Sequence, residues 1–247
     1  MARIMHNAKK DIISKLQKDI LQWQGFTPPH AGALNGIGLG PIEAAFPNGV
    51  FPTGNIHEMI CPTPEQAAAT GGLMSGLLSS LMKNGGACLW ISVSRKLFPP
   101  ALMGFGVMPD RVIFIDVARE RDVLWAMEEA LKCEGMAAVI AEVREISFAQ
   151  SRRLQLAVES SKVTGFLLRN DPKKLGTTTC VARWQVTSLP SELDDDLPGV
   201  GFPRWQVDLL RVRNGNPGSW KLEWADGHFL PIEDEELTLQ LDERQAG

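Results

Sequence analysis

The stretch GNIHEMICPTPEQAAATGGL, residues 54–73, leads from a short apolar strand through a tight turn into a helix rich in Ala, Leu, Met and Ser. The strand is expected over 55–60 and the helix over 64–83. A strand that enters a helix in this way is where the phosphate-binding pattern G-x-x-x-x-G-K-[ST] sits. That pattern needs glycines so that backbone N–H groups close on phosphates. It also needs a lysine for charge and a hydroxyl for magnesium. Laid over 61–68, Cys61 and Gln66 take the two glycine positions, Ala67 the lysine position and Ala68 the hydroxyl position. All four requirements are missing. Thr63-Pro64-Glu65-Gln66 reads instead as a capping box, with Thr63 as N-cap, Pro64 first in the helix and Gln66 third. Glu65 would put negative charge where a phosphate would lie. An ordinary capped helix with no nucleotide history accounts for this stretch equally well, so the decision rests on the rest of the chain.

Downstream, strands and helices alternate. Apolar runs at 87–93, 111–116, 136–143 and 164–168 are strand candidates, interleaved with helices near 100–105, 119–133 and 148–160. Strands that are apolar throughout are buried on both faces, as in a parallel sheet covered by helices. After residue 170 the pattern changes to antiparallel strands at 177–188, 204–213 and 219–224, with a turn starting at Asn214-Gly215. The expected fold class is therefore α/β, with a mainly parallel central sheet and C-terminal antiparallel strands. Four segments are expected: an N-terminal helix (1–25), a linker or arm (26–53), the core (54–230) and an acidic tail (231–247).

In the N-terminal segment Ile12, Ile13, Leu16, Ile20 and Trp23 recur at helical spacing, opposite a lysine-rich face. The stripe Ile12, Leu16, Ile20, Trp23 is a candidate docking surface. The segment has no continuous apolar stretch of the kind a secretory leader needs. No run approaches the roughly 18 apolar residues that span a bilayer. A cytoplasmic protein is expected. Of the 247 residues 44% are hydrophobic, enough for a substantial core. Cys61, Cys88, Cys133 and Cys180 are widely spaced with no C-x-x-C pair, and are expected to be reduced and buried rather than metal ligands. No cofactor is expected. The net charge of −4 removes any simple electrostatic case for nucleic-acid binding.

The segment WISVSRKLFPPALMGFGVMPDRV, residues 90–112, resembles the corresponding part of RecA proteins and keeps Leu97, Pro99, Gly106, Val107 and Asp110 in order. In that resemblance Ser94 stands at the position of the acid that orients the attacking water. AAVIAEV (137–143) resembles the strand bearing the magnesium-associated acid, which places Glu142 there. The resemblance is closer still to the ImuA family, RecA-like partners in a mutagenic repair cassette. The strings that carry it include GLGPIEAAFPNGVFPTGNIHE (38–58), VLWAMEEALKCEGMAAVIAEV (123–143), SRRLQLAVESSKVTGFLLR (151–169) and RWQVDLLRVRNGNPGSWKLEW (204–224). It implies a RecA-like core with a degenerate phosphate loop and a non-enzymatic accessory role in damage-induced translesion synthesis. It also implies partners: an ImuB-type Y-family-like protein, an error-prone DnaE-type polymerase, RecA itself, and self-association. A SulA-like division inhibitor and a weak ATPase are the competing readings.

Candidate contacts to DNA or partners are Arg152 and Arg153 on the 148–160 helix, Lys173 and Lys174 in a shortened loop, and Arg211 and Arg213. The last two alternate on one strand and so share a side. The arginines of 151–153 have a plainer alternative, pairing with Glu142 or Glu145. Trp184, Trp205, Trp220 and Trp224 are expected to pack in the core or on a sheet face rather than stack on bases. DNA binding is expected to be weak or indirect.

Overall fold

A computed structural model of the chain describes residues 15–16, 36–192 and 200–232. Among these, nine strands form one sheet in the order β3-β2-β4-β5-β1-β6-β7-β8-β9. The strands are β1 (Ile56–Cys61), β2 (Ala87–Ser92), β3 (Val112–Asp116), β4 (Met136–Val143), β5 (Thr164–Asn170), β6 (Ala182–Leu189), β7 (Arg204–Val212), β8 (Gly218–Ala225) and β9 (His228–Pro231). Strands β1 to β5 pair in parallel, β6 joins β1 in parallel, and β7 to β9 continue antiparallel. The chain is thus α/β with a mostly parallel sheet and an antiparallel C-terminal extension, an arrangement compatible with a RecA-like core.

The alternation of strand side chains sorts the core into two layers. One face carries Met59, Cys61, Trp90, Ile140, Phe166 and Leu168, covered by helix α1 (Pro64–Leu81). The other carries Ile56, Ile91, Val139, Ala141 and Leu167, covered by α2 (Glu120–Ala130) and α3 (Phe148–Ser161). In α1, Leu73, Met74, Leu77 and Leu78 are all buried, each contributing roughly 1.5–3 kcal/mol relative to exposure. Helix α3 starts on a complete capping box, Ser147 with Gln150.

Four sequence expectations need correction. The 171–181 stretch is a loop, and β6 begins only at Ala182, because the carbonyls of Thr178, Thr179 and Cys180 accept from the Arg211 and Arg213 side chains instead of a neighbouring strand. The described part of the expected linker, 36–53, is packed. It forms short 3-10 turns at Gly40–Ala45 and Pro47–Gly49 and buries Leu39, Ile42, Phe46 and Phe51. A ring stack explains why: Phe51 lies on His57 at 4.4 Å and 6°. The His57 ring, oriented by Pro52 O at 3.0 Å from Nε2 and by Trp184 Nε1 donating to Nδ1 at 3.3 Å, pins that segment to β1 and β6. Strand β9 lies beyond the expected strands. Asp226 and Gly227, at φ 52° and 76°, make the two-residue turn that folds it back on β8. Finally, Cys133 is exposed, whereas Cys61, Cys88 and Cys180 are buried as expected; all four thiols are free.

Lys15 and Leu16 are helical and exposed. Ile12, Ile20 and Trp23 lie outside the described residues, as does the tail from 233. Among the described residues no helix is long and apolar enough to cross a membrane.

Candidate functional site

Strand β1 runs through Cys61, and α1 begins at Pro64, so only Pro62 and Thr63 join them. A phosphate-wrapping loop has no residues from which to form. Cys61 is buried with its thiol 3.4 Å from Thr70 Oγ1, and burial pushes the thiol up to about 11. Thr63 caps α1 by accepting from Gln66 N at 3.3 Å. The reciprocal half of the expected capping box is not made: Gln66 Nε2 reaches across to Thr187 Oγ1 on β6 at 3.3 Å. Sheet contact wins because α1 lies directly over β6. Glu65 is held below the usual carboxylate range, chiefly by its hydrogen bond with Thr63.

Where a nucleotide would sit, α1 and the ends of β4 and β5 enclose a cavity of about 430 Å³. Ala67, Ala68, Gly71 and Gly72 form its α1 wall, and Leu97, Phe98 and Trp205 close much of the rest. Its polar side chains include Glu142, Asn170, Lys96 and Ser75. Glu142 is engaged: Trp90 Nε1 donates to Oε1 at 2.7 Å and Asn170 Nδ2 to Oε2 at 3.1 Å. Burial raises the Glu142 carboxyl above its ordinary value, opposed by the Trp90 bond and by the Lys96 charge. Ser94 is exposed in an adjoining cleft of about 330 Å³ that also contains Glu142 and Arg144. The structure therefore brings Ala67, Ala68 and Glu142 together around one cavity and puts Ser94 next door. Cys61 and Gln66 turn elsewhere. Triphosphate binding has neither cation nor open backbone donors to use on the α1 wall. Among the described residues no cluster of His, Cys, Asp or Glu could hold a metal ion.

The basic candidates are mostly committed. Arg152 pairs with Glu159 at 3.6 Å and Arg153 with Glu128 at 2.6 Å, rather than with Glu142 or Glu145. Position decides this: the preceding Ser151 is buried and accepts from Thr179 N at 3.1 Å, which turns the two arginines after it outward. Arg211 does share a side with Arg213, but both guanidiniums donate into the 171–181 loop. Arg211 Nη2 reaches Thr178 O and Cys180 O at 3.1 Å, and Arg213 reaches Thr179 O. Burial lowers the Arg213 pKa from its ordinary value. Lys173 and Lys174 are exposed, their backbone N–H groups held by Glu145 Oε1 at 2.7 and 3.4 Å.

Sequence reasoning missed what anchors that loop. Glu58, fully buried in β1, accepts from Arg169 Nη1 and Arg183 Nε at 2.8 Å each and from Thr178 Oγ1 at 3.0 Å. Arg169 extends the network to Glu145 Oε2 and Lys174 O, both at 2.8 Å. A Glu within an otherwise apolar strand, and an Arg following FLL in another, were the available signals, since charges on buried strands must pair. The four tryptophans behave as expected: Trp184, Trp205 and Trp224 are buried, and Trp220 packs partly buried against them.

No family model matches the chain. Two curated relatives do: the protein named "Protein ImuA" from Caulobacter vibrioides strain NA1000 / CB15N, and its counterpart from strain ATCC 19089 / CIP 103742 / CB 15. Each is 33% identical over 200 residues, covering 76% of this chain and 82% of the relative. At that identity and coverage, the chain belongs to the ImuA family.

Proposed function

We propose that this chain is a non-catalytic, RecA-like accessory protein of damage-induced mutagenic translesion synthesis, acting in the cytoplasm through protein contacts. The observation that carries this reading is the state of the nucleotide position. Ala67 and Ala68 line an apolar cavity, and the acid across from them, Glu142, is hydrogen-bonded by Trp90 and Asn170. A RecA-type core that keeps its sheet but not its phosphate chemistry is left with surfaces as its means of action. Family membership supplies the pathway, the ImuA/ImuB mutagenic system.

The partners this reading names are an ImuB-type Y-family-like protein, an error-prone DnaE-type polymerase and RecA. The stripe Ile12, Leu16, Ile20 and Trp23 is the proposed docking face for one of these or for a second copy. DNA is reached chiefly through the partners, with Lys173 and Lys174 as the direct contacts that no carboxylate occupies among the described residues.

The test is genetic and biochemical together. Deleting the gene should abolish most damage-induced point mutation in the host without lowering basal growth, and the intact gene should restore it. The purified chain should form a complex with the ImuB-type protein in the absence of ATP. Undiminished induced mutation in the deletion strain contradicts the reading.

A further inference from the structure

We propose that the 430 Å³ cavity on the α1 face is a recognition pocket for one bulky apolar side chain of a partner protein, presented by a short acidic segment. The inference rests on the reading that the chain works through protein contacts, and names the chemistry of one such contact.

The first argument is Gly71. Helix α1 carries Gly71, Gly72 and Gly76 in its interior, where each glycine costs roughly 1 kcal/mol relative to alanine. Two of them are required by packing. A Cβ on Gly76 would come within 2.5 Å of Phe229 and 2.9 Å of Trp224, and one on Gly72 within 3.0 Å of Trp205. Gly71 has no such reason: a Cβ there would meet only Leu97 Cδ1, at 3.9 Å. An alanine would fit the protein and strengthen the helix. What it would take up is space in the cavity.

The second argument is size and lining. About 430 Å³ falls in the range of pockets that enclose a ligand group, roughly 300–1,000 Å³, and the lining is apolar with a few polar groups at one side. The third is the rim. Phe98 and Pro203, which both line the cavity, are exposed, Phe98 to 67%. A small free ligand would leave those side chains in water. A peptide that inserts one side chain would cover them, the usual arrangement of a hot-spot anchor surrounded by water-excluding contacts.

Charge selects the sign of the segment. Lys96 lines the cavity, is exposed and forms no ion pair among the described residues. Glu142, on which the Lys96 charge also acts, has both oxygens hydrogen-bonded by Trp90 and Asn170, so the exposed Lys96 Nζ keeps its donors for an incoming carboxylate beside the anchor. Phosphate-rich ligands are disfavoured by the apolar wall, where Ala67 and Ala68 offer neither a cation nor a hydroxyl.

The test selects 12-residue peptides from a random display library on the purified full chain, then measures the best binder by fluorescence polarisation. The enriched peptides should share a Trp, Phe or Leu next to Asp or Glu. Gly71→Met fills the cavity and should weaken that peptide roughly thirtyfold, the scale of losing one anchor residue. Its unfolding midpoint should equal or exceed that of the wild type, since methionine is the better helix former. Lys96→Glu should weaken binding on the order of fivefold, and a peptide with its acid changed to lysine should recover it. Trp125→Ser, on an exposed face of α2 away from the cavity, should change nothing. No enrichment, enrichment without that pattern, or equal binding by Gly71→Met overturns the pocket. If the pocket fails while the gene is still needed for induced mutation, the accessory reading stands without it. If the peptides bind as expected but induced mutation is independent of the gene, the pocket stands and the pathway does not.

Discussion

The indole nitrogen of Trp90 donates to Glu142 Oε1 across 2.7 Å, joining the middle of β2 to the end of β4 beneath helix α1. With Asn170 Nδ2 donating to the other oxygen, the Glu142 carboxylate serves as a structural acceptor. A hydrogen bond to a partly buried carboxylate contributes about 1.5–3 kcal/mol. Trp90→Phe should therefore destabilise by at least about 2 kcal/mol in urea unfolding, with the lost ring volume adding to it. The double variant with Glu142→Gln should lose clearly less than the sum of the two singles. Additive losses would mean that the pair is not coupled.

The Glu58–Arg169–Arg183 network should be among the most sensitive points of the core. Glu58 and Arg169 are fully buried, and Arg183 is 13% exposed at its side chain. Removing the acid leaves Arg183 without a carboxylate and the buried Arg169 with Glu145 alone. Glu58→Ala should cost roughly 3–5 kcal/mol, the usual penalty for breaking one side of a buried pair. The 171–181 loop should loosen with it, seen as faster amide exchange at Lys173 and Lys174, since Arg169 and Glu145 hold that loop from below. A loss under about 1 kcal/mol would show that the network contributes little.

Much of this architecture was legible in the sequence, and the exceptions share a cause. Strands β1 to β5 were visible as apolar runs, whereas β6, whose buried and half-buried residues alternate, was expected among the antiparallel strands and instead pairs in parallel with β1 as well as antiparallel with β7. The ends of α1 could be read from Thr63 and the Ala-Leu-Met composition. What escaped depended on contacts between distant residues. The 36–53 segment carries Pro, Gly and Asn at loop frequency, and only the Phe51–His57 stack and the burial of Leu39 and Phe46 show that it is core. Asp226-Gly227 is a strong hairpin signal, overlooked because the strand after it is only four residues long. For the site, the residue types at 61–68 and the Thr63 cap of α1 were readable one by one. The cavity was not, since it is made by Trp205 and Phe98 arriving from separate elements.

Stability should fall as pH drops from 7.5 to 5.0. Burial depresses the His57 pKa from 6.5 to about 4, against the raising effect of its bond to Pro52. A group with a depressed folded pKa supports the fold above its unfolded pKa and loses that contribution as pH falls below it. At pH 5.0 the unfolded chain takes up the proton and the folded chain does not, which removes about 2 kcal/mol at roughly 1.4 kcal/mol per pH unit. His57→Gln should flatten the slope in this window, whatever its effect on stability at pH 7.5. An unchanged slope in the variant would assign the pH dependence to other groups.

Binding of the isolated chain to single-stranded DNA should be weak at physiological salt. Arg211 and Arg213 are spent on loop carbonyls, and Arg152 and Arg153 are paired with acids. Two to four contacts at most would engage, so log K against log salt should have a slope on the order of −2 to −3 by the single-strand relation. Fluorescence anisotropy across a salt series measures it. Lys173→Ala with Lys174→Ala should remove most of the slope. Nanomolar affinity with a steep slope would require a basic face that these side chains do not form.

The most direct measurement is calorimetric titration of the full chain with ATP and magnesium, repeated on the Ala67→Lys variant. No saturable heat is expected up to millimolar nucleotide in either protein, and no phosphate release. Restoring one lysine leaves the two-residue Pro62-Thr63 connection, the Glu65 charge and a Glu142 already held by Trp90 and Asn170. Micromolar, magnesium-dependent binding by the unmodified chain would contradict a RecA-type core that works without its nucleotide.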